Sequence, residues 1–287
     1  MEATGMNLIT WNIQRGRTPG GECNIAHTAA SLRGVADADA ICLQEVSSGY
    51  TDMPGCDGAN QFALLAAHFP AHVPVTGLAC DTAGEGGQRR MFGNMILSRY
   101  PVWQVIRHAL PWPPDPDVMS MQRIALEATL DTPLGLVRVI TTHLEYFSRL
   151  QRSAQVQRLR DLQREAAAHA ARPRAGAAAG PFCATPRAGA AILAGDCNFL
   201  PGSWEYHCLQ APFDDGTPAW ADAWRLRHPD RAHAPSVCLH DHPGRPADPF
   251  TCDFVFVSDD LAPRLAEVGV AMDDLGPDHQ PLLVRLD

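Results

Sequence analysis

AILAGDCNFLPGS, residues Ala191 to Ser203, opens as an apolar run and closes on a carboxylate, a thiol and an amide. The run predicts a buried strand that breaks at Gly195. Asp196 and Asn198 then lie two residues apart at the strand's end, a spacing that turns both side chains the same way. In that arrangement Asp196 orients or deprotonates a water while Asn198 donates to developing negative charge, the division of labour that phosphate-ester hydrolysis requires. The plainer alternative is an Asx-turn, in which both side chains satisfy loop backbone, and for an isolated D-x-N it is the better reading.

The rest of the chain changes that balance. Four other apolar runs deliver polar residues at or just past their ends: NLITWNI carries Asn12, ICLQEV carries Glu45, VRVITTHLE carries His143, and CDFVFVS opens on Asp253. The segment Gly276 to Pro281, GPDHQP, adds Asp278 and His279. The pieces WNIQRG, LQEV, FGNMILSRYPV, TTHLE, GDCNFLPGS, CDFVFVS and PDHQPLLV, in this order, resemble the endonuclease/exonuclease/phosphatase superfamily, the DNase I-like metal-dependent phosphoesterases. The resemblance runs from Asn7 to Arg285 and implies an α/β (α+β) fold: a four-layer sandwich of two mixed β-sheets packed face to face, helices outside, the site at one end. It further implies that Glu45 is the principal ligand of Mg²⁺ or Mn²⁺, with Asn12 and Asp278 completing or supporting the metal site. Asp196 would activate water, Asn198 and His279 would contact phosphoryl oxygens, and Asp253 would hold the His279 ring. His143 would contact the phosphate or protonate the leaving oxygen. A Tyr usually stands at that place in the abasic-site endonuclease branch, so TTHLE argues against a DNA repair enzyme.

Those roles match the chemistry. A phosphodiester resists attack because its oxygens repel a nucleophile and its alkoxide leaves poorly, so a catalyst must neutralise charge and hold water in line. Hard oxygen donors for Mg²⁺ or Mn²⁺ follow.

Composition narrows the substrate. The 287 residues are 46% hydrophobic, enough for a large core. A site assembled from Asn12 through His279 leaves no place for a domain boundary, so residues 1–287 are read as one domain. The net charge of −9 repels polyanions, and all 23 basic residues are Arg, which suits bidentate phosphate contacts but offers no broad cationic surface. Binding of duplex DNA is therefore not expected. The leading expectation is a hydrolase of small, lipid-like or single-stranded nucleic acid phosphoesters. The alternatives are a DNase I-like nuclease and, in another class, a non-catalytic binding protein reusing the fold. Nine cysteines without a C-x-x-C spacing suggest reduced intracellular thiols, although a Cys56–Cys80 pairing is conceivable. With no basic, apolar leader and no run long enough to span a membrane, a cytoplasmic protein is expected.

Along the chain, strands are expected at Met6–Ile13, Ala40–Gln44 and Ala71–Ala79, and helices at Asn24–Ala36, Asp57–Phe69 and Phe147–Ala171. Met91–Ser98 and Val102–Leu110 read as a hairpin turning at Arg99–Pro101, and Gln122–Leu130 with Leu136–Thr142 as another. The long helix should bury Leu150, Val156, Leu159 and Leu162, and its Arg149 or Arg152 could stand at the mouth of the site. Residues 172–189, rich in Ala, Gly and Pro, read as a flexible insertion. Short helices are expected at Gly202–Leu209 and Ala219–Arg227, and strands at Asp253–Ser258, Arg264–Met272 and Pro281–Leu286. Three loops could meet substrate: 81–90 through Arg89 or Arg90, 111–120 through Trp112, and 229–249, where His233, His240, Asp241 and His242 suggest a specificity loop.

Overall fold

The structure, a computed structural model, describes residues 5–174, 179–240, 248–273, 275–276 and 278–287. In chain order its elements are β1 (Met6–Asn12), α1 (Ile25–Val35), β2 (Ala40–Ser48), α2 (Gln61–His68), β3 (Val73–Ala83), β4 (Arg89–Ser98), β5 (Val102–Ala109), β6 (Ile124–Thr132) and β7 (Gly135–His143). Then follow α3 (Arg149–Ala171), β8 (Ala191–Asp196), α4 (Trp204–Gln210), β9 (Trp220–Asp222), α5 (Ala223–Arg227), β10 (Asp253–Ser258), β11 (Leu265–Val270) and β12 (Leu282–Leu286).

Each α-helix starts where a short polar side chain accepts from its first turn: Asn24 from His27 N, Asn60 from Ala63 N, Ser148 from Gln151 N, Ser203 from Tyr206 N and Asp222 from Trp224 N. The strands form two six-stranded sheets, ordered β11-β12-β1-β2-β4-β3 and β5-β6-β7-β8-β10-β9. Both are mixed, since β1 runs parallel to β2 and β7 parallel to β8 within otherwise antiparallel sheets. The inner faces meet in one apolar cluster that includes Leu8, Cys42, Ile96, Leu126, Val139, Ile192 and Val255. A second cluster sits under α3 and α4, and a third under α1 and α2, so that four layers result. Among the described residues no helix is long and apolar enough to cross a membrane.

Several expectations need correction. β4 and β5 are not a hairpin: β4 pairs with β2 and β3 while β5 pairs with β6, so Arg99–Pro101 carries the chain from one sheet to the other. Arg99 N–H donates to Asp39 O, which anchors the crossing to the first sheet. Residues 220–222 form an edge strand beside β10 before α5 begins, so the helix expected from Ala219 starts late. Leu150 points to solvent, 55% exposed, while Val156, Leu159 and Leu162 are buried as expected.

A charge network lies between the second sheet and its outer layer. The Arg138 side chain is 0% exposed; its Nε and Nη2 donate to the two Glu127 oxygens at 3.0 and 3.1 Å, and its Nη1 to Gln163 of α3 at 2.9 Å. His108 and Arg187 also reach Glu127, both at 3.2 Å. Arg187 thereby ties the end of the 172–189 segment to the sheet; residues 175–178 of the expected flexible insertion lie outside the described residues.

Candidate active site

The two parallel pairs and β10 bring their polar ends to one end of the sandwich. Asn12 closes β1, His143 closes β7 and Asp196 closes β8, and in the sheet register Asp196 lies between His143 and Asp253. Gly195 makes this approach possible: at φ +144° a Cβ there would lie 2.0 Å from the Thr142 carbonyl oxygen. Glu45 is not at a strand end but inside β2, where the pairing with β4 slips between Leu43 and Val46. Its φ of 58° is unusual for a residue with a side chain, and the bulge re-aims that side chain.

Asn12 is the hub, its Nδ2 donating to Asp196 Oδ2 at 2.9 Å and to Glu45 Oε1 at 3.1 Å. Arg15 Nη1 donates to the other Glu45 oxygen at 2.9 Å. His279 Nδ1 lies 2.9 Å from Asp253 Oδ2, and its Nε2 lies 3.8 Å from Asp196 Oδ2. The 278–280 segment is held in place by backbone bonds from Cys238 N to Asp278 O and from Gln280 N to Ser236 O, and by Trp11 Nε1 donating to His279 O at 3.0 Å. His143 Nε2 approaches Asp196 Oδ2 to 3.4 Å.

The structure thus brings all eight sequence-predicted residues together. The D-x-N stretch takes the plainer of its two forms, and the amide expected to contact phosphoryl oxygens is engaged with loop backbone. Asn198 N–H donates to Asp196 Oδ1 at 3.0 Å, an Asx-turn, and Asn198 Nδ2 donates to Leu144 O at 2.9 Å. The second oxygen of Asp196 remains turned towards Asn12 and the two histidines, and Asn198, at φ 50°, still lines the cavity. The turn, rather than strand alternation, sets that geometry.

Burial pushes the Asp196 carboxyl up, and Asp253 adds to this, to about 6 despite the opposing His279 and Asn12. For His279, burial pulls the other way but is outweighed by Asp253, Asp196 and Asp278, which hold it well above the ordinary imidazole value. His143 is driven well below that value by burial, Arg123 and His279. An imidazole kept neutral has one N–H to donate, so contact with a phosphate oxygen fits His143 better than protonation of a leaving group.

These groups line a half-open cavity of about 520 Å³. Its polar lining is Gln14, Glu45, Arg123, His143, Asp196, Asn198 and His279, and its apolar and aromatic lining includes Tyr146, Phe147, Val237 and Phe250. Tyr146 and Phe147 pack edge to face at 4.9 Å, and both remain half exposed. Sequence reasoning missed four contributors. Gln14 donates through Nε2 to Asp278 Oδ2 at 2.5 Å and through its backbone N–H to Asn12 Oδ1. Arg123, paired with Glu145 through Nε at 3.1 Å, has a buried Nη1 with no hydrogen-bond partner among the described residues. Ser236 donates to Asp253 at 2.7 Å. The aromatic pair is the fourth. Only Arg123 had a readable signal, a cation immediately before β6, the strand that starts beside the end of β7.

The proposed loop contacts fare differently. Arg89 pairs with Asp81 within the 81–90 hairpin tip and Arg90 with Asp52 of the loop after β2, so both arginines are already engaged. Trp112 Nε1 donates to Ser120, anchoring its own loop. Arg149 turns to Glu205 and Arg152 donates through Nη1 to Glu145 O and Tyr146 O, both at 2.8 Å; neither is among the cavity-lining residues. His233 is buried against Asp222 at 2.6 Å and His240 lies 3.0 Å from Met272 O; Asp241 and His242 lie outside the described residues. From the 229–249 stretch, Val237 and Cys238 reach the cavity.

Residues 9–274 match the family model described as the Endonuclease/Exonuclease/phosphatase family. No curated protein matches the chain significantly. Among solved structures, it is similar to an endonuclease/exonuclease/phosphatase from Beutenbergia cavernae DSM 12333, with 25% identity and TM-score 0.66 over 98% of this chain and 71% of that one. A mannosyl-6-phosphatase from Bacteroides thetaiotaomicron VPI-5482 shares 15% identity with TM-score 0.64 over 97% and 98% of the two chains. D. rerio TDP2 complexed with single strand DNA product shares 18% identity with TM-score 0.61 over 99% and 100%. The last two similarities speak for the fold.

Proposed function

The chain belongs to the endonuclease/exonuclease/phosphatase family, whose members are generally divalent-metal-dependent phosphoester hydrolases, and from that premise we propose that it hydrolyses small, lipid-like or single-stranded nucleic acid phosphoesters by in-line attack of water. The observation that carries this reading is the line Asp253–His279–Asp196, the last two lining the cavity: a carboxylate orienting an imidazole that faces a second carboxylate. A non-catalytic protein would have little need to keep Asp196, His143 and His279 buried around one cavity, given what burying charge costs.

In this mechanism Asp196 accepts the proton of the attacking water. Asp253, itself held by Ser236, fixes the His279 ring so that Nε2 donates to a phosphoryl oxygen. His143 and the Nη1 of Arg123, which has no hydrogen-bond partner among the described residues, offer further donors to the same group. Asn12 holds Asp196 and Glu45 in register, and Asn198 shapes the turn beside them. The donor set of Asn12, Glu45 and Asp278 is all oxygen, with Glu45 lining the cavity, and it fits Mg²⁺ or Mn²⁺ in preference to a soft cation. Such an ion, when bound, supplies charge neutralisation at the phosphoryl group.

Cavity size and lining support the substrate class. About 520 Å³ suits one ester and its attached group. Tyr146 and Phe147 offer an apolar wall to an acyl chain, an aryl group or an unstacked base. The phosphatase and the TDP2 complex among the structural neighbours are consistent with that range. A duplex is disfavoured, since arginines of the Arg-rich helix α3 are already paired: Arg158 with Glu165 of the same helix, Arg149 with Glu205 of α4 and Arg164 with Asp215 beyond it. In Mn²⁺, turnover of bis(p-nitrophenyl) phosphate or a single-stranded oligonucleotide is expected, with weak duplex binding and a shallow salt slope. Tight duplex binding with a steep salt slope would instead favour the DNase I-like alternative.

A further inference from the structure

We propose that Cys23 and Cys56 are a disulfide-forming pair, a covalent lock between the segment that follows Gln14 and Arg15 and the loop that follows β2. Their sulfurs stand 3.0 Å apart, nearer than an ordinary non-bonded sulfur contact, while Cys80, the partner conceivable from sequence, turns to Gln122 O. The two backbones already touch. Cys23 N–H donates to Gly55 O at 3.1 Å, and a Cβ on Gly55, at φ +78°, would lie 2.5 Å from Gly21 O. Closing the sulfurs to about 2.05 Å therefore asks for a shift of roughly one ångström.

What the lock would hold is the support of the site. Arg15 pairs with Glu45 and Gln14 with Asp278, and Asn24, the residue after Cys23, donates its N–H to Gly16 O at 2.7 Å. From the other side Gln61 Nε2 donates to Arg15 O at 2.6 Å. A bond at Cys23–Cys56 closes this loop system on a chain separation of 33 residues. Burial and the adjacent Cys56 thiol hold the Cys23 thiol up to about 12, against Arg15 and Arg17, which suits a slow structural bond better than a fast sensor.

The oxidant is a small-molecule disulfide such as oxidised glutathione. One cysteine thiolate attacks it and expels one glutathione thiolate; the second cysteine thiolate then displaces the other glutathione from the mixed disulfide. The two protons given up by the cysteine thiols are taken up by the two expelled glutathione thiolates, so the two cysteines are oxidised and one glutathione disulfide is reduced to two thiols.

The test takes the full chain, fully reduced, then equilibrated with oxidised glutathione, denatured and alkylated. Two of the nine thiols should escape alkylation, and peptide mapping should join the Cys23 and Cys56 peptides. The melting temperature should rise by roughly 5–10 °C on oxidation. Cys23→Ala and Cys56→Ala should each abolish both the cross-link and the rise; each variant is compared with its own reduced form, so packing lost by substitution does not enter, and Cys23→Ser replaces Cys23→Ala if that variant fails to fold. Nine alkylated thiols after oxidation, a link between other cysteines, or a Cys23–Cys56 link without a rise in melting temperature would overturn the lock. None of these readouts depends on phosphoester turnover.

Discussion

Asp196→Asn should lower kcat about 10²–10⁴-fold, the span over which a positioned general base contributes. Asn keeps the size of the side chain and one acceptor oxygen, so the Asx-turn to Asn198 can persist while the proton acceptor is lost. His279→Ala should cost about 10²–10³-fold, as removal of a preorganised donor to developing charge does. The double variant should fall well short of the product of the two, because both side chains meet at one point, 3.8 Å apart, and serve one step. Steady-state kinetics on bis(p-nitrophenyl) phosphate, with melting curves as a control for folding, measure all three. Wild-type turnover in either single variant would remove this mechanism, and strictly multiplicative losses would separate the two residues into different steps.

Glu127→Gln should destabilise the protein by about 3–5 kcal/mol at neutral pH, the usual cost of removing one partner from a buried ion pair. The Arg138 guanidinium is fully buried, and Gln cannot balance its charge. The pH dependence follows from Glu127 itself. Burial alone would raise its carboxyl, but His108, Arg138 and Arg187 prevail and hold it at about 2, below the ordinary 4.5. A folded-state value below the unfolded one means that the stabilisation is fully present above about 4.5 and is lost as pH falls towards 2. Urea unfolding of wild type and variant at pH 7 and at pH 3 should show the gap between them narrowing on acidification. A constant gap would assign the loss to packing rather than charge.

Much of this was legible in the sequence because the site hangs on strand ends. Apolar runs such as Ile9 to Trp11 and Ala191 to Ala194 announce themselves, and the polar residues after them are conspicuous. What was not legible depends on partners far along the chain. Arg99 to Pro101 carries an ordinary turn signal, yet the strands on either side find their hydrogen bonds in different sheets. Glu45 reads as a strand terminus, but β2 continues past it to Ser48 through a bulge with positive φ. Leu150 is apolar, but the stripe that α3 buries starts at Gln151 and runs through Gln155, Leu159 and Leu162, two of them polar, and leaves Leu150 to one side. Gln14 and Ser236 have no local signal at all, since their roles are to hold Asp278 and Asp253, 264 and 17 residues away.

Metal removal tests the central claim most directly. The full chain stripped with EDTA is assayed on bis(p-nitrophenyl) phosphate, before and after adding Mg²⁺ or Mn²⁺ in excess of chelator, beside Glu45→Gln treated identically. The stripped wild type should be inactive and recover with either ion, while Glu45→Gln should melt near the wild-type temperature yet require more metal and turn over more slowly. Full turnover in EDTA, or undiminished turnover and metal response in Glu45→Gln, would contradict a divalent-metal phosphoester hydrolase built on Glu45.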